Sequence, residues 1–123
     1  MGTVAAVALG GAVGAAARYG LDRLIESHVE SVFPAATFTI NVTGCAISAL
    51  IVAVVVERLG APSWLGLGAN VGFVGAYTTF STFAFEAYGL LQEGRALLAV
   101  VYAASSAVAG VAAIGAGTWL GRI

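Results

Sequence analysis

Four long hydrophobic runs, separated by short polar stretches, make up almost the whole chain. Each run is near or above the roughly 20 apolar residues that a helix needs to cross a bilayer. The runs are continuous rather than alternating, which argues against a membrane β-barrel. The sequence therefore predicts an all-α membrane protein with four transmembrane helices, in a single domain of residues 1–123. We expect these helices at Val4–Leu24, Ala36–Val56, Trp64–Leu91 and Ala96–Leu120.

The short polar stretches carry most of the charge. Glu26 and His28 are expected in the first connection, Glu57 and Arg58 in the second, and Glu93 in the third. The chain is 60% hydrophobic and 9% charged, whereas a soluble domain carries about 25% charged residues. A lipid bilayer is therefore its expected environment. The net charge of -1 provides no basic surface for nucleic acid. No basic segment precedes the first run, which we expect to remain in the membrane.

The third run is too long for one straight helix. Trp64–Leu91 would extend about 42 Å as a helix, against a hydrocarbon core of about 30 Å. Tilt alone could absorb the excess. However, Gly72, Gly75 and the Thr78–Thr79 pair lie near the middle of the run, so we predict two half-helices around an unwound centre. Irregular backbone at this depth occurs only where protein or a watery cavity surrounds it.

The arginines are evenly divided between the two ends of the predicted bundle. Arg58 and Arg122 lie at one end and Arg23 and Arg95 at the other, while Arg18 adds only a slight bias. The positive-inside rule therefore has almost nothing to select an orientation. A weak bias could still be resolved one way during insertion. The sharper hypothesis is dual topology, in which both orientations insert and form an antiparallel homodimer.

Small and polar residues in the second run share one helical face. The face consists of Thr37, Asn41, Gly44, Cys45 and Ser48, at spacings that bring them together on a helix. Asn41 is the most costly of them to bury, since its amide has two donor hydrogens and an acceptor. Such residues hold membrane helices together at about 1 kcal/mol each. This structural explanation and a role in binding are both open at this point.

Aromatic and hydroxyl residues lie close together in Thr78–Phe83, at and after the predicted break. Phe80 and Phe83 lie about 60° apart on a helix, with Thr78 and Thr82 near the opposite face. Aromatic pairs at this spacing often only fill a core. Ring edges carry positive quadrupole charge, however, and can face an anion without offering a full cation. Tyr102 lies one turn before Ser106 in the fourth run, which alone is a weak signal.

Three motifs together resemble the CrcB/Fluc fluoride channel family. They are GGAVGAAARY at 10–19, TINVTG at 39–44 and GFVGAYTTFSTF at 72–83. The resemblance extends over all four runs in their order. It implies a passive fluoride channel in the inner (plasma) membrane, built as an antiparallel homodimer.

The resemblance also implies roles for individual residues. Fluoride would pass along a pore lined by Asn41, Phe80, Phe83, Ser81, Thr82, Tyr102 and Ser106. A vestibule would contain Arg18, and Glu86 would be the acidic residue that closes the signature helix. A structural sodium ion would bind the backbone carbonyls of Gly75 and Thr78 from both subunits. One position departs from the expectation, because Gly110 stands where a further serine or threonine would continue the polar track.

Other functional classes fit the sequence less well. A small dual-topology multidrug exporter needs a carboxylate within its first helix, and Val4–Ala17 has none. An enzyme would need a nucleophile with a base or a metal site, and His28 is the only histidine. We therefore expect no enzymatic activity. A structural membrane subunit fits the composition but gives no reason for a polar, broken third helix. The single cysteine, Cys45, excludes an internal disulfide.

Overall fold

The computed structural model describes all 123 residues as helices joined by short connections, with no strand. Three helices, α1, α2 and α5, are long and apolar enough to cross a membrane. The third hydrophobic run forms two shorter helices, α3 and α4. The all-helical prediction is confirmed. The helix bounds are Gly2–His28 for α1, Ala35–Arg58 for α2, 63–77 for α3, Phe80–Gln92 for α4 and Ala96–Arg122 for α5.

The helices extend further than the apolar runs predicted, and in α1 and α2 they include residues expected in the connections. Glu26 and His28, expected in the first connection, lie in the last turns of α1. Glu57 and Arg58, expected in the second connection, end α2. A helix satisfies its own backbone hydrogen bonds, so it need not stop where the apolar run stops. Long charged side chains reach water from the helix ends.

The helical hydrogen bonding widens in two places. Ile51–Arg58 at the end of α2 and Gly68–Val74 within α3 are π-helical. In such turns an amide bonds the carbonyl five residues earlier; the amide of Leu59 bonds the carbonyl of Val54 at 2.9 Å. Within this part of the bundle, Ser48 Oγ donates to Asn70 Oδ1 at 2.7 Å. This bond links α2 to the widened part of α3.

Four glycines bring α1 and α3 into direct backbone contact. Gly10 and Gly14 on α1 meet Gly68 and Gly72 on α3, and we call this region the glycine contact. A Cβ at Gly72 would lie 2.6 Å from the carbonyl oxygen of Val7, and added Cβ atoms at Gly10 and Gly14 would collide with the backbone of α3. The glycines of each pair are four residues apart, and this spacing serves helix packing, as is usual in membranes.

The α2 and α5 helices also pack closely through glycine. A Cβ at Gly117 would lie 2.8 Å from the carbonyl oxygen of Ala46, and one at Gly121 would lie 2.6 Å from Ala53. At the end of this pair, Arg122 bonds both carboxylate oxygens of Glu57 at 3.1 Å. These contacts fix α5 beside α2 and so position the α5 side chains that face the helix break.

Candidate functional site

The break in the third run lies at Thr78 and Thr79. Thr78 has φ -81° and ψ 157°, and Thr79 has φ -146° and ψ 113°, so both are extended. The predicted break is therefore present, but the glycines do not cause it. Gly72 and Gly75 lie within helical turns of α3, and β-branched threonine suits extended backbone. We call residues 78–79 the helix break.

The side chain of Asn41 holds the helix break from the neighbouring α2 helix. Its Nδ2 donates to the carbonyl oxygen of Thr79 at 3.0 Å, and its Oδ1 accepts from the amide of Thr79 at 2.8 Å. This two-way pairing gives the amide and carbonyl of Thr79 the hydrogen-bond partners that a continuous helix would otherwise provide. Asn41 therefore has the structural role that we considered from the sequence. One of its two Nδ2 hydrogens is not used by this pairing.

Two further side chains bond the chain beside the break. Thr79 Oγ1 accepts from the amide of Thr82 at 3.2 Å and so caps the N-terminus of α4, a position that favours threonine. On the other side, Arg18 Nε donates to the carbonyl oxygen of Ala76 at 3.1 Å. Free carbonyls at a helix C-terminus carry partial negative charge, which an arginine stabilises. Arg18 thus bonds the end of α3.

The bonding at the break diverts two amides from their helical acceptors. The amide of Thr79 bonds Asn41 rather than the carbonyl of Gly75, and the amide of Thr82 bonds Thr79 Oγ1 rather than the carbonyl of Thr78. Gly75 is exposed and Thr78 is half-buried. The family resemblance implied that the carbonyls of these two residues bind sodium. Neither carbonyl accepts the amide hydrogen bond that it would have in an unbroken helix.

A cavity of about 330 Å³ opens beside the break between α2, α4 and α5. We call it the phenylalanine cavity. It brings together four of the residues predicted for the pore, which are Asn41, Phe80, Phe83 and Ser106. Cys45 and Thr79 also line it, and it contains no charged side chain. A small anion entering this cavity would meet amide, hydroxyl and thiol groups and aromatic rings.

The two phenylalanines of the cavity differ in exposure. The Phe80 ring is 80% exposed, whereas Phe83 is half-buried. Their ring centroids are 5.7 Å apart with a 45° angle between planes, and Phe83 is 5.1 Å from Tyr102. Tilted rings of this kind can present edges to a common space. Phe83 therefore also belongs to the protein core, and Phe80 does not.

Two buried hydroxyls of α5 have no hydrogen-bond partner. They are Tyr102 Oη and Ser106 Oγ, and Tyr102 is fully buried. An unsatisfied buried polar group costs about 1–3 kcal/mol. Such groups are therefore rare unless water, an ion or a functional role explains them. Tyr102 packs on Phe83 behind the cavity, while Ser106 lines the cavity itself.

The remaining predicted residues lie outside the phenylalanine cavity. Arg18 and Thr82 line a cavity of about 120 Å³ next to α1, together with Asp22. Thr82 and Glu86 line a further cavity of about 330 Å³, where Thr37, only 3% exposed, donates to the Glu86 carboxylate. Ser81 is exposed and lines none of these cavities. The helix break thus divides the residues predicted for the pore into two groups. Thr79 lines both the phenylalanine cavity on one side of the break and the 120 Å³ cavity on the other.

Sequence reasoning missed two residues that the structure brings into the site. Thr79 was noted only as part of the break, yet its backbone bonds Asn41 and its hydroxyl caps α4. Cys45 was noted only as a member of the small and polar face of α2. That face was the available signal, since each of its polar residues except Cys45 bonds α3, α4 or the break.

Known proteins resemble this chain over almost its whole length. Residues 5–118 match the family described as CrcB-like protein, Camphor Resistance (CrcB). A protein of Rhodococcus jostii named fluoride-specific ion channel FluC 2 is 46% identical over 97% of this chain and 95% of its own length. Proteins named fluoride-specific ion channel FluC are 43% identical in Acidobacterium capsulatum, over 95% of this chain and 90% of that one, and 37% identical in Nitratidesulfovibrio vulgaris, over 100% and 99%.

Proposed function

The chain belongs to the CrcB family, and from that membership and the phenylalanine cavity we propose that it is a passive, fluoride-selective channel. Its relatives are named fluoride-specific ion channels. The observation that carries the proposal for this chain is the meeting of Asn41, Phe80, Phe83 and Ser106 in one uncharged cavity at the helix break. Fluoride is a small anion that must exchange its water for donors to enter a narrow path.

Neutral donors suit conduction better than a cation would. A channel must bind its ion well enough to admit it and weakly enough to release it. Asn41 has an N–H that its pairing with Thr79 does not use, and Ser106 Oγ is buried without a partner. Both can donate to an anion. The edges of Phe80 and Phe83 add a weak positive field. We propose that these four groups form the central part of the path.

The other predicted residues have supporting roles in this proposal. Tyr102 limits the path from behind Phe83, and Ser81 and Thr82 extend it beyond the break. Arg18 forms a vestibule on the α1 side, where it bonds Ala76. Glu86 closes the same side through its bond with Thr37.

We further propose that two copies assemble antiparallel in the plasma (inner) membrane. The phenylalanine cavity is open along one side, and Phe80 at its edge is 80% exposed, so a second subunit would complete the wall. Arg23 and Arg95 at one end balance Arg58 and Arg122 at the other. Arg18 adds only a slight excess of arginine at the first of these ends. The positive-inside rule, which counts basic residues, therefore has little with which to fix orientation.

We also propose a structural sodium ion at the carbonyls of the break. Gly75 and Thr78 each have a carbonyl that receives no helical amide, and unpaired carbonyls in a dry interface are costly. Backbone oxygens suit a hard cation, while calcium sites usually recruit carboxylates as well. We propose that these carbonyls from both subunits hold one sodium ion. The ion would neutralise partial negative charge and join the two subunits.

Fluoride efflux from liposomes tests the channel proposal. Purified protein should release fluoride much faster than chloride, without any proton gradient. Equal rates for the two anions would refute selectivity. A requirement for a pH gradient would instead favour exchange, as in the multidrug-exporter alternative. No flux from a well-folded protein would favour a structural subunit.

Orientation can be tested in cells. Tags at the C-terminus should be accessible from both sides of the membrane. Two arginines added to the connection around Gly60 should bias orientation and lower flux, because antiparallel partners become scarce. A single orientation in the unmodified protein would rule out dual topology.

A further inference from the structure

We propose that the Cys45 thiol forms part of the ion path and takes the place of a side chain that Gly110 does not provide. The proposal rests on the channel function above and adds a residue to it. Cys45 lines the phenylalanine cavity with Asn41, one turn before it on α2, and with Ser106 on α5. The polar groups on this wall of the cavity therefore extend from the helix break along α2 and α5.

The neighbouring helix leaves a gap that the thiol fills. Gly110 lies one turn beyond Ser106 on α5 and is buried. A Cβ built on Gly110 would lie 3.4 Å from Cys45 Sγ, its only contact within 4 Å. The close approach at Gly117 fixes α5 against α2, so this gap cannot close by helix movement. The sulfur thus lies next to the position where a side chain of residue 110 would begin.

A second observation concerns a polar group on the same wall. Ser106 Oγ is buried and has no hydrogen-bond partner, although buried hydroxyls normally have one. Ser106 and Cys45 line the same cavity, so an ion that passes Ser106 can also reach the Cys45 side chain. A thiol is a weak donor and carries a polarizable sulfur. It can therefore contact an anion without holding it, which suits a step between stronger sites.

Cys45 is the only cysteine of the chain, so a thiol-specific reagent tests the proposal directly. A charged methanethiosulfonate transfers its alkylthio group to the cysteine sulfur. A new S–S bond forms as the S–S bond of the reagent breaks, methanesulfinate leaves, and the thiol proton goes to solvent. The adduct would occupy the cavity. Fluoride efflux from wild-type liposomes should fall more than tenfold after treatment, with one adduct per chain by mass spectrometry.

Two variants control for the reagent. Cys45→Ser keeps a donor of similar size and should conduct, with no response to treatment. Cys45→Ser combined with Ser27→Cys moves the thiol to an exposed position at the end of α1, where labelling should leave efflux unchanged. If wild type conducts but Cys45 is not labelled, or is labelled without loss of flux, the proposal is wrong. Absence of efflux in untreated wild type would instead refute the proposed function.

A rescue experiment needs no reagent and tests whether a hydroxyl at residue 110 on α5 can replace the Cys45 thiol on α2. Cys45→Ala should lower fluoride efflux on the order of threefold, as expected from loss of one weak donor. Adding Gly110→Ser to this variant places a hydroxyl beside the vacated space and should restore efflux. Gly110→Ala in the same background supplies the Cβ without the hydroxyl and should not restore it. Equal efflux in all three variants would overturn the proposal.

Discussion

The glycine contact and the helix break bring backbones together by opposite means. At the glycine contact, Gly10, Gly14, Gly68 and Gly72 remove side chains, so two intact helices touch. At the break, side chains are added: Asn41, Arg18 and Thr79 bond main-chain groups that the helix has released. The first arrangement leaves no space for a ligand. The second leaves carbonyls, an amide hydrogen and a cavity that an ion can use. The comparison associates the first region with stability and, under the proposed function, the second with transport.

Removing the Asn41 amide should have the largest effect on transport. Asn41→Ala leaves the amide and carbonyl of Thr79 without partners and removes the free donor from the cavity. Two lost hydrogen bonds correspond to a decrease in fluoride efflux on the order of a hundredfold. Efflux is measured per folded protein, with detergent elution as the check on assembly. Near-normal efflux would limit Asn41 to holding helices together.

Adding a methyl group at the glycine contact should mainly affect stability. Gly14→Ala forces a Cβ against the Phe73 backbone, and overpacking of this kind costs about 1–3 kcal/mol. Gly20→Ala on the same helix has nothing within 4 Å and should be neutral or stabilising by up to about 1 kcal/mol. Unfolding in detergent compares the two. Equal stability of both variants would contradict the assignment of the glycine contact.

The two phenylalanines should separate transport from packing. Phe80→Ile and Phe83→Ile both remove a positive ring edge and should each lower efflux by about tenfold, if a ring edge contributes about 1.4 kcal/mol at the barrier. Only Phe83→Ile should also lower thermal stability, because Phe83 packs on Tyr102. A large stability loss in Phe80→Ile would show that the exposed ring has a structural contact in the assembled channel.

The smallest effect is expected at Ser48, on the same face of α2 as Asn41. Ser48→Ala removes its bond to Asn70 and should lower the unfolding free energy by about 1 kcal/mol. Ser48 lies outside the phenylalanine cavity, so efflux per folded protein should stay unchanged. A marked loss of efflux would mean that the ion path extends along α2 well beyond Cys45.

The sequence predicted the helices and the break, with the Thr78–Thr79 pair among the residues expected there, but not the bonding of the break. Hydrophobic length alone identifies four runs, because backbone groups in lipid must be satisfied within helices. Gly72 and Gly75 were expected to unwind the third run together with the threonine pair, yet Gly72 serves the contact with α1 and only the threonines have extended backbone. The pairing of Asn41 with Thr79 joins residues 38 positions apart. Only the packed structure reveals such a bond.

The candidate path was predicted in part. Asn41, Phe80, Phe83 and Ser106 meet in one cavity, whereas Arg18 and Thr82 lie on the other side of the break. Helical spacing gives the face of each residue but not which neighbouring helix that face meets. Cys45 was missed for this reason, because its significance depends on the missing side chain at Gly110 across the helix interface.

The bond between Asn41 and Thr79 also bears on the order in which the chain assembles. During synthesis α2 enters the membrane before α3 and α4, so the amide of Asn41 is already in place when Thr79 arrives. The exposed peptide groups of the incoming segment can then find a partner at once, instead of remaining unpaired in hydrocarbon. An irregular turn that would be costly to insert alone can therefore be accommodated beside the helix that precedes it.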